Sequence, residues 1–359
     1  MELLNHTPFL ADTIETLDAQ GRAVHLVVIK GSWLFRGLGL ASPAQAAPLL
    51  RLPQRMRLGD LVREPLQQQV LDSAHKADDW VDWVGTDYVL PKPALDVLVA
   101  GHCHSPGGKA RRQFEVGLSI GDQQWFIEAH APRRWCPASL LDWRIEPLGE
   151  VCSVPMHAAF SLGGQLNPER GPQTALPPKA SPELQARLRL LPWLEDPNAL
   201  IKTPRDRRPP AGWNQWPADA PHRQRHAGHF DELWRRSRAP RPPLDFNQCF
   251  HNLAAPELQL GQVPAPGTRV CLQNLSSRGR DEFTWPEVGL YLQALWHNGH
   301  RPPPIPLEPD TLLLEPTQSR YSLTWRAVVP QGEGAGGVSL LELGVTLANT
   351  SSTLKRATR

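Results

Sequence analysis

Hydrophobic residues recur along this chain in short runs, and several runs have the two-residue period that is typical of β-strands. The clearest example is Phe114–Ile120, in which every second residue is apolar. Gly121 and Asp122 follow as a tight turn, and Gln124–Ala129 then has the composition of a returning strand. The pattern therefore predicts a β-hairpin at these residues.

Other strands are predicted where alternating or aliphatic runs are bounded by glycine, proline or polar residues. In chain order they are Leu26–Ile29, Leu95–Val99, Thr268–Leu275, Gly289–Leu295, Thr311–Glu315, Tyr321–Val329 and Val338–Leu347. In Tyr321–Val329 the apolar residues alternate with Ser322, Thr324 and Arg326. Many short strands separated by turns are typical of a mainly β protein with antiparallel sheets.

Helices are expected to be few and short, because 38 prolines are roughly twice the average usage for a chain of 359 residues. Leu58–Ala77 could hold a helix, although Pro65 interrupts it and short strands are the alternative. Ser181 precedes a proline in the manner of a helix start, and that helix would end before Pro192. His229–Arg236 has acidic residues first and basic residues last, which matches the helix dipole.

The stretch Thr203–Asn252 is crowded with Arg, Pro, Trp and His and contains almost no aliphatic run. Its tryptophans argue against disorder, and its prolines argue against a core helix or strand. It is therefore predicted to be a long, irregular but ordered segment, and such segments tend to be functional.

The predicted fold class is mainly β, with two antiparallel β lobes joined by this Arg/Pro/Trp-rich segment and with few short helices. Residues 1–165 are assigned to an N-terminal β lobe and residues 256–347 to a C-terminal β lobe. Residues 166–255 form the connecting segment, which is expected to pack on both lobes. Residues 348–359 are expected to be a disordered tail.

The charge and the cysteines restrict the partners and the compartment. With 38 basic and 36 acidic residues the net charge is +2, which gives no reason to expect nucleic acid. No apolar run approaches the length of a bilayer span, so no membrane partner is expected. The five cysteines have no CxxC spacing, and Met1–Thr16 lacks the features of a signal peptide. We therefore expect reduced thiols and a cytoplasmic protein.

Two groups of histidines are the main candidates for chemistry; they are His102 and His104, and His222, His226 and His229. Together they could hold zinc, so a metal-dependent hydrolase is the alternative function. The usual paired-cysteine spacing is missing, however, and turn or surface histidines are the simpler interpretation. Cys103 could be a nucleophile, but no known signature surrounds it. We expect no metal, no other cofactor and no catalytic residue.

Two further features have structural interpretations. Gly107 and Gly108 are expected to adopt turn conformations closed to other residues, between strands that end near Ala100 and begin near Gln113. An acidic group is interpreted as a solvated turn around two tryptophans; its members are Asp78, Asp79, Asp82 and Asp87.

Several stretches, taken in order, resemble one bacterial family. Lys92 and Asp96 precede Pro106-Gly107-Gly108 as in a KPxxDVLVxGxAxxPGG motif. The later matches are Leu191–Ile201 with LPNxEDPxxLI, Pro210–Trp213 with PAGF, His226–Trp234 with AGTYDExW, and Pro243–Asn252 with LPxDFDxRFFNxAP. From about Thr7 to Arg326 the chain resembles the family called domain of unknown function 2169. The residues assigned to its structural motifs are Lys92, Asp96, Pro106, Gly107, Gly108, Asp231, Trp234, Asp245 and Phe246.

The resemblance implies a function in protein binding. Members of that family are typically encoded beside type VI secretion spike proteins and toxins, and they are regarded as adaptors or chaperones. The partner would be a type VI effector, often one with a PAAR-type tip domain, and the adaptor would help to load it onto the VgrG spike. Because Trp and Arg dominate interface hot spots, the candidates for partner contact are Trp213, Trp216, Arg235, Arg236 and Arg238. We expect Trp213 and Trp216 to be the exposed pair; the alternative is that Trp213 and Trp234 anchor the segment to the core. For Trp234 the anchor is the preferred interpretation, on the buried side of a short helix.

Overall fold

The computed structural model describes residues 1–35, 39–74, 76–138, 143–162, 189–204, 206, 208–331 and 337–345. Within these ranges the chain is mainly β with a few short helices, as predicted. The helix predicted from Ser181 and the tail 348–359 lie outside the described residues, as does the first part of the predicted connecting segment.

The strands of the described ranges are short, with two exceptions of eleven and twelve residues. In chain order they are β1 (Glu2–Asn5), β2 (Leu10–Leu17), β3 (Ala23–Leu34), β4 (Gly39–Leu40), β5 (Gln54–Arg57), β6 (Trp80–Val84), β7 (Leu95–Val99), β8 (His102–His104), β9 (Gln113–Ile120), β10 (Gln123–His130), β11 (Arg133–Pro137), β12 (Trp143–Pro147), β13 (Ser153–Pro155), β14 (Leu194–Glu195), β15 (Gln259–Leu260), β16 (Arg269–Gln273), β17 (Arg280–Thr284), β18 (Leu290–Trp296), β19 (Ile305–Leu307), β20 (Pro309–Glu315), β21 (Arg320–Pro330) and β22 (Val338–Val345). The α-helices are α1 (Leu58–Leu61), α2 (Pro65–Ser73), α3 (Pro221–Gln224) and α4 (Glu232–Ser237).

Strands from both ends of the chain share the largest sheets. The seven-stranded sheet has the order β15-β7-β20-β21-β3-β2, with β4 also paired to β3. The five-stranded sheet has the order β14-β10-β9-β16-β17. The boundaries at residues 165 and 256 therefore do not separate two lobes with sheets of their own. The reason is that β7 and β3 need hydrogen-bonding partners on both sides, and β20 and β21 of the C-terminal half supply them.

Most strand pairs are antiparallel, but two are parallel. β7 runs parallel to β20 in the centre of the seven-stranded sheet. β1, which the sequence did not predict, runs parallel to β22 at the edge of a four-stranded sheet with the order β1-β22-β18-β19. Two-stranded sheets formed by β5 with β6, β8 with β13 and β11 with β12 complete the topology of the described ranges.

The predicted hairpin is present as β9 and β10, which pair antiparallel around a turn at Gly121. Gly121 has a φ of 57°, a conformation that glycine adopts without steric cost. The two helices α1 and α2 occupy the region predicted as a helix or short strands, and Pro65 begins the second of them. The break occurs there because proline is accepted at the first helical position but not within a helix.

β21 has the predicted alternation, yet both of its faces are buried. On one face Trp325 stacks on Phe9 at 5.6 Å and Tyr321 stacks on Trp33 at 5.4 Å between ring centroids. On the other face the polar residues Ser322, Thr324 and Arg326 are also buried. This polar face is covered by other parts of the chain, so its charges must find partners inside the protein.

Those partners form three ion pairs between cations and carboxylates. Lys30 Nζ lies 2.8 Å from Asp87 Oδ2, and Lys92 Nζ lies 2.8 Å from Asp96 Oδ2. The third pair joins Arg326 to Asp310. Each of these three cations is therefore paired with a carboxylate inside the protein.

Two local predictions require correction. The chain between Ala100 and Gln113 is not a turn alone, because His102–His104 forms β8 before the turn at Pro106–Gly108. The acidic group around Trp80 is not a turn alone either, because Asp82 lies within β6, which pairs with β5. Both strands are only three to five residues long, and such strands have little periodicity in the sequence.

Candidate interaction surface

Trp213 and Trp216 are buried, so the prediction that they are exposed is wrong. Trp213 O accepts a hydrogen bond from Val99 N at 2.7 Å, where the connecting segment crosses the end of β7. The neighbouring Asn214 Nδ2 donates to Trp83 O at 3.2 Å and to Val99 O at 3.1 Å. This part of the segment lies too close to the sheet to leave the indole rings in solvent, and its role is structural.

The structural assignment of Lys92 and Asp96 agrees with their geometry. Asp96 accepts hydrogen bonds from Lys92 Nζ at 2.8 Å, Asn252 Nδ2 at 2.8 Å and Leu253 N at 2.7 Å. Lys92 Nζ also donates to Thr311 Oγ1 at 2.9 Å. The carboxylate of Asp96 thereby attaches the end of the connecting segment to the seven-stranded sheet.

Arg223 is a structural residue that the sequence analysis did not single out. Its guanidinium donates to Trp216 O at 2.7 Å through Nη1, and to Phe250 O at 3.0 Å through Nη2. It also lies 4.9 Å above the Phe250 ring. Burial lowers the pKa of Arg223. A buried arginine among many surface arginines has no distinct sequence signal, because its burial depends on what folds over it.

Residues 228–247 form a protruding stretch, which we call the spur. His229 and Asp245 connect its two ends: Nδ1 of His229 lies 2.5 Å from Asp245 Oδ2, and His229 N donates to Asp245 Oδ1 at 3.1 Å. The hydrogen bond to the Asp245 carboxylate stabilises the protonated form of His229, so the pKa of His229 is raised. The hydrogen bonds from the side chain and backbone of His229 stabilise the carboxylate of Asp245, so the pKa of Asp245 is lowered. Gly228 has a φ of 77°, and a Cβ there would lie 2.8 Å from Asp245 Oδ1. Only glycine fits at this entry to the spur.

The predicted short helix of the spur is present as α4. Asp231 caps its N-terminus by accepting from Trp234 N at 2.7 Å. Trp234 is half-buried, rather than fully on a buried side, and its Nε1 donates to Arg241 O at 2.8 Å. These contacts hold the helix and the returning chain together. Asp231, Trp234 and Asp245 therefore have the structural roles assigned to them, and Phe246 packs edge-on against Phe250 at 5.8 Å.

The three candidate arginines of the spur differ in their surroundings. Arg235 and Arg236 are exposed and share the carboxylate of Glu232, at 2.6 Å in each case. Arg238 donates to Pro242 O and, at 3.4 Å, to Ala19 O, so it holds the spur against the loop before β3. Arg235 and Arg236 remain accessible to a partner, whereas Arg238 is engaged within the protein.

The spur also carries large apolar side chains in solvent, which the sequence analysis missed. Phe230 is 60% exposed, Leu233 is 72% exposed and Leu244 is 85% exposed. Phe230 packs against Trp234, with ring centroids 4.8 Å apart and an edge-on geometry. Exposed apolar residues that cluster on one element are a mark of an interaction site. The signal in the sequence was a set of large apolar residues at 230, 233 and 244 within a stretch rich in charged residues and proline.

The histidine groups do not assemble a metal site within the described ranges. No group of three or more His, Cys, Asp or Glu residues there could hold a metal ion. His102 Nε2 lies 2.7 Å from Leu61 O, and burial lowers the pKa of His102 to about 4. Cys103 is fully buried, and that burial raises the pKa of its thiol. The hydrolase hypothesis therefore receives no support from the part of the chain that is described.

The turn residues Pro106, Gly107 and Gly108 have the predicted conformation. The φ values are 67° for Gly107 and 66° for Gly108.

Within the described ranges, none of the helices is long and apolar enough to cross a membrane.

Comparison with known proteins identifies the family. Neither a curated protein nor a solved structure matches the chain. The model of one family, described as an uncharacterized protein conserved in bacteria, matches residues 22–326, which is most of the chain. The protein therefore belongs to the bacterial family called domain of unknown function 2169.

Proposed function

We propose that this protein is a non-catalytic adaptor of type VI secretion, which binds an effector and helps to load it onto the VgrG spike. The effector in this proposal carries a PAAR-type tip domain. The observation that carries the proposal is the exposed apolar surface of the spur. The motifs that resemble those of the family support the same function, because two of them, His226–Trp234 and Pro243–Asn252, overlap the spur.

The spur is suited to binding because it is already folded. The contact of His229 with Asp245, the cap at Asp231 and the bond from Trp234 to Arg241 fix its backbone before a partner arrives. A pre-organised surface loses less conformational entropy on binding than a flexible loop. Phe230 and Leu233 can then contribute apolar burial at roughly 25 cal/mol per Å² removed from water.

The charge next to the apolar side chains favours an acidic partner. Arg235 and Arg236 share one carboxylate, that of Glu232, so one positive charge beside Leu233 is not neutralised. Guanidinium groups make paired hydrogen bonds with carboxylates. We therefore expect the effector to present an apolar patch flanked by Asp or Glu.

The proposal is tested with a double variant, Phe230→Ser with Leu233→Ser. The effector is first identified by co-purification from the native cell with mass spectrometry, and its affinity is then measured by calorimetry with purified proteins. We expect the double variant to bind roughly tenfold or more weakly, because truncation of interface anchors typically costs 1–2 kcal/mol or more each. Secretion of the effector should fall in parallel.

The matched control is Leu52→Ser, since Leu52 is 78% exposed and lies outside the spur. It should leave both affinity and secretion unchanged. If the co-purified proteins include no secreted effector or spike protein, the adaptor function is wrong. If the effector is found but the double variant binds it normally, the spur is not the contact surface.

A further inference from the structure

A cavity of about 360 Å³ lies at the base of the spur. Its walls contain four prolines, which are Pro209, Pro210, Pro221 and Pro256. Trp216 and Ala255 form its floor and belong to a small apolar cluster separate from the main core. Proline rings are rigid and have no backbone N–H, so these walls are apolar and already in place. The volume is at the lower end of the range for ligand pockets.

The polar groups at the cavity have unused hydrogen-bonding capacity. Nε of Arg225 donates to His222 O at 3.1 Å and to His226 Nε2 at 3.2 Å, and its terminal nitrogens have no acceptor in the described part of the chain. Glu257 also lines the cavity and is exposed; partial loss of water around its carboxyl, with Asp196 nearby, raises its pKa.

These groups match the requirements of one kind of occupant. Arg225 and Glu257 are exposed where they line the cavity, so an occupant can reach both of them. Arg225 can donate to a carbonyl oxygen, and Glu257 can accept from an amide N–H. A peptide unit has one of each. The apolar walls are suited to a large side chain next to that peptide unit.

We propose that this cavity receives one aromatic side chain of an extended peptide segment, with the adjoining peptide groups bound by Arg225 and Glu257. The assignment of that segment to the effector rests on the proposed function; the cavity and its chemistry do not. Arg225 stands three residues before Gly228, where the chain enters the spur, so one partner segment can contact the spur and fill the cavity.

The isolated protein is tested with N-acetyltryptophanamide, which has one aromatic side chain and two peptide groups, by saturation-transfer NMR. N-acetylalaninamide is the control probe, since it has the same peptide groups without the ring. We expect saturation of the tryptophan compound only. Ala255→Leu fills the floor of the cavity and should remove the signal, and Arg225→Ala should weaken binding at least threefold. Leu233→Ser, on the spur, should not change it.

The inference is overturned if the tryptophan compound shows no saturation, or if both cavity variants bind it as the parent does. Arg225 is exposed, so Arg225→Ala should fold normally. It therefore tests the proposal even if Ala255→Leu fails to fold. If the spur variant Leu233→Ser loses effector binding but binds the tryptophan compound normally, the result tests the adaptor function alone and does not affect the proposal for the cavity.

Discussion

Asp96→Asn is the most direct test of the ion pairs beneath the connecting segment. Asp96 and Lys92 are both buried, and their charged atoms lie 2.8 Å apart. The substitution keeps the shape of the side chain, but it removes the negative charge and leaves the ammonium group of Lys92 with Thr311 Oγ1 as an acceptor. Removing one partner of a buried pair typically destabilises a protein by about 3–5 kcal/mol. We expect a loss in this range for Asp96→Asn.

The loss of stability in Asp96→Asn has an upper limit, because Lys92 can release its proton and become neutral. Burial already lowers the pKa of Lys92, while the charge of Asp96 opposes that effect. A lysine with an ordinary pKa of 10.5 is deprotonated near pH 7 at a cost of about 5 kcal/mol, since each pKa unit corresponds to about 1.4 kcal/mol. A larger loss would require structural damage beyond the ion pair.

The same reasoning gives the sign of the pH dependence. In the variant, the folded pKa of Lys92 falls further below its unfolded value, so the unfolded chain binds more protons than the folded chain. Stability then rises with pH between the two pKa values. Between about pH 7 and about pH 9 the variant should regain at least 1 kcal/mol relative to the parent protein.

The assay is urea denaturation followed by circular dichroism at both pH values. The matched control is Asp78→Asn, because Asp78 pairs with Arg57 at 3.0 Å on the surface and its side chain is 89% exposed. Surface pairs contribute little, so this control should not differ measurably from the parent. A loss below about 1 kcal/mol for Asp96→Asn would contradict the reasoning, as would a loss that does not change with pH.

Three further outcomes follow from the structure. Gly108→Val should lower stability by about 1–3 kcal/mol, since valine is strained at a φ of 66°. The control Gly261→Ala, at an open position without a positive φ, should leave stability unchanged. Equal denaturation midpoints for the two variants would contradict this. Trp213→Ala should cost about 3–5 kcal/mol because it empties a core position, and Trp80→Ala, at a half-exposed site, should cost far less in the same melt. By NMR titration His229 should have a raised pKa that returns toward the ordinary value in Asp245→Asn; an unchanged midpoint would show that the two residues do not interact in solution.

The elements that the sequence predicts well are those with a strong local pattern. The β9–β10 hairpin and the helix after Asp231 depend on turn residues, alternation and a cap, all within a few positions. β2 and β6 were missed because their side chains are only partly buried, so polar and apolar residues mix without a clear period.

The candidate site was predicted only in part, for a related reason. The sequence placed the candidate surface in the stretch that contains the spur, and two of its candidates for partner contact, Arg235 and Arg236, are exposed. Trp213 and Trp216 were predicted to be exposed because the sequence does not show that their segment crosses the end of β7. Exposure of a tryptophan is decided by tertiary contacts. Phe230 and Leu233 are exposed because they lie just before and within α4, a helix with no buried residue.

The interleaving of early and late strands has a consequence for synthesis of the protein. β3 and β7 leave the ribosome long before β20 and β21, which are their hydrogen-bonding neighbours. Until residues 309–330 have been made, the centre of the seven-stranded sheet is missing and the ion pairs around Arg326 have no place to form. A chain that terminates before this point has unpaired strand edges and is a substrate for aggregation or proteolysis. β7, to which the connecting segment is hydrogen-bonded, therefore obtains its neighbour β20 only after most of the chain has been made.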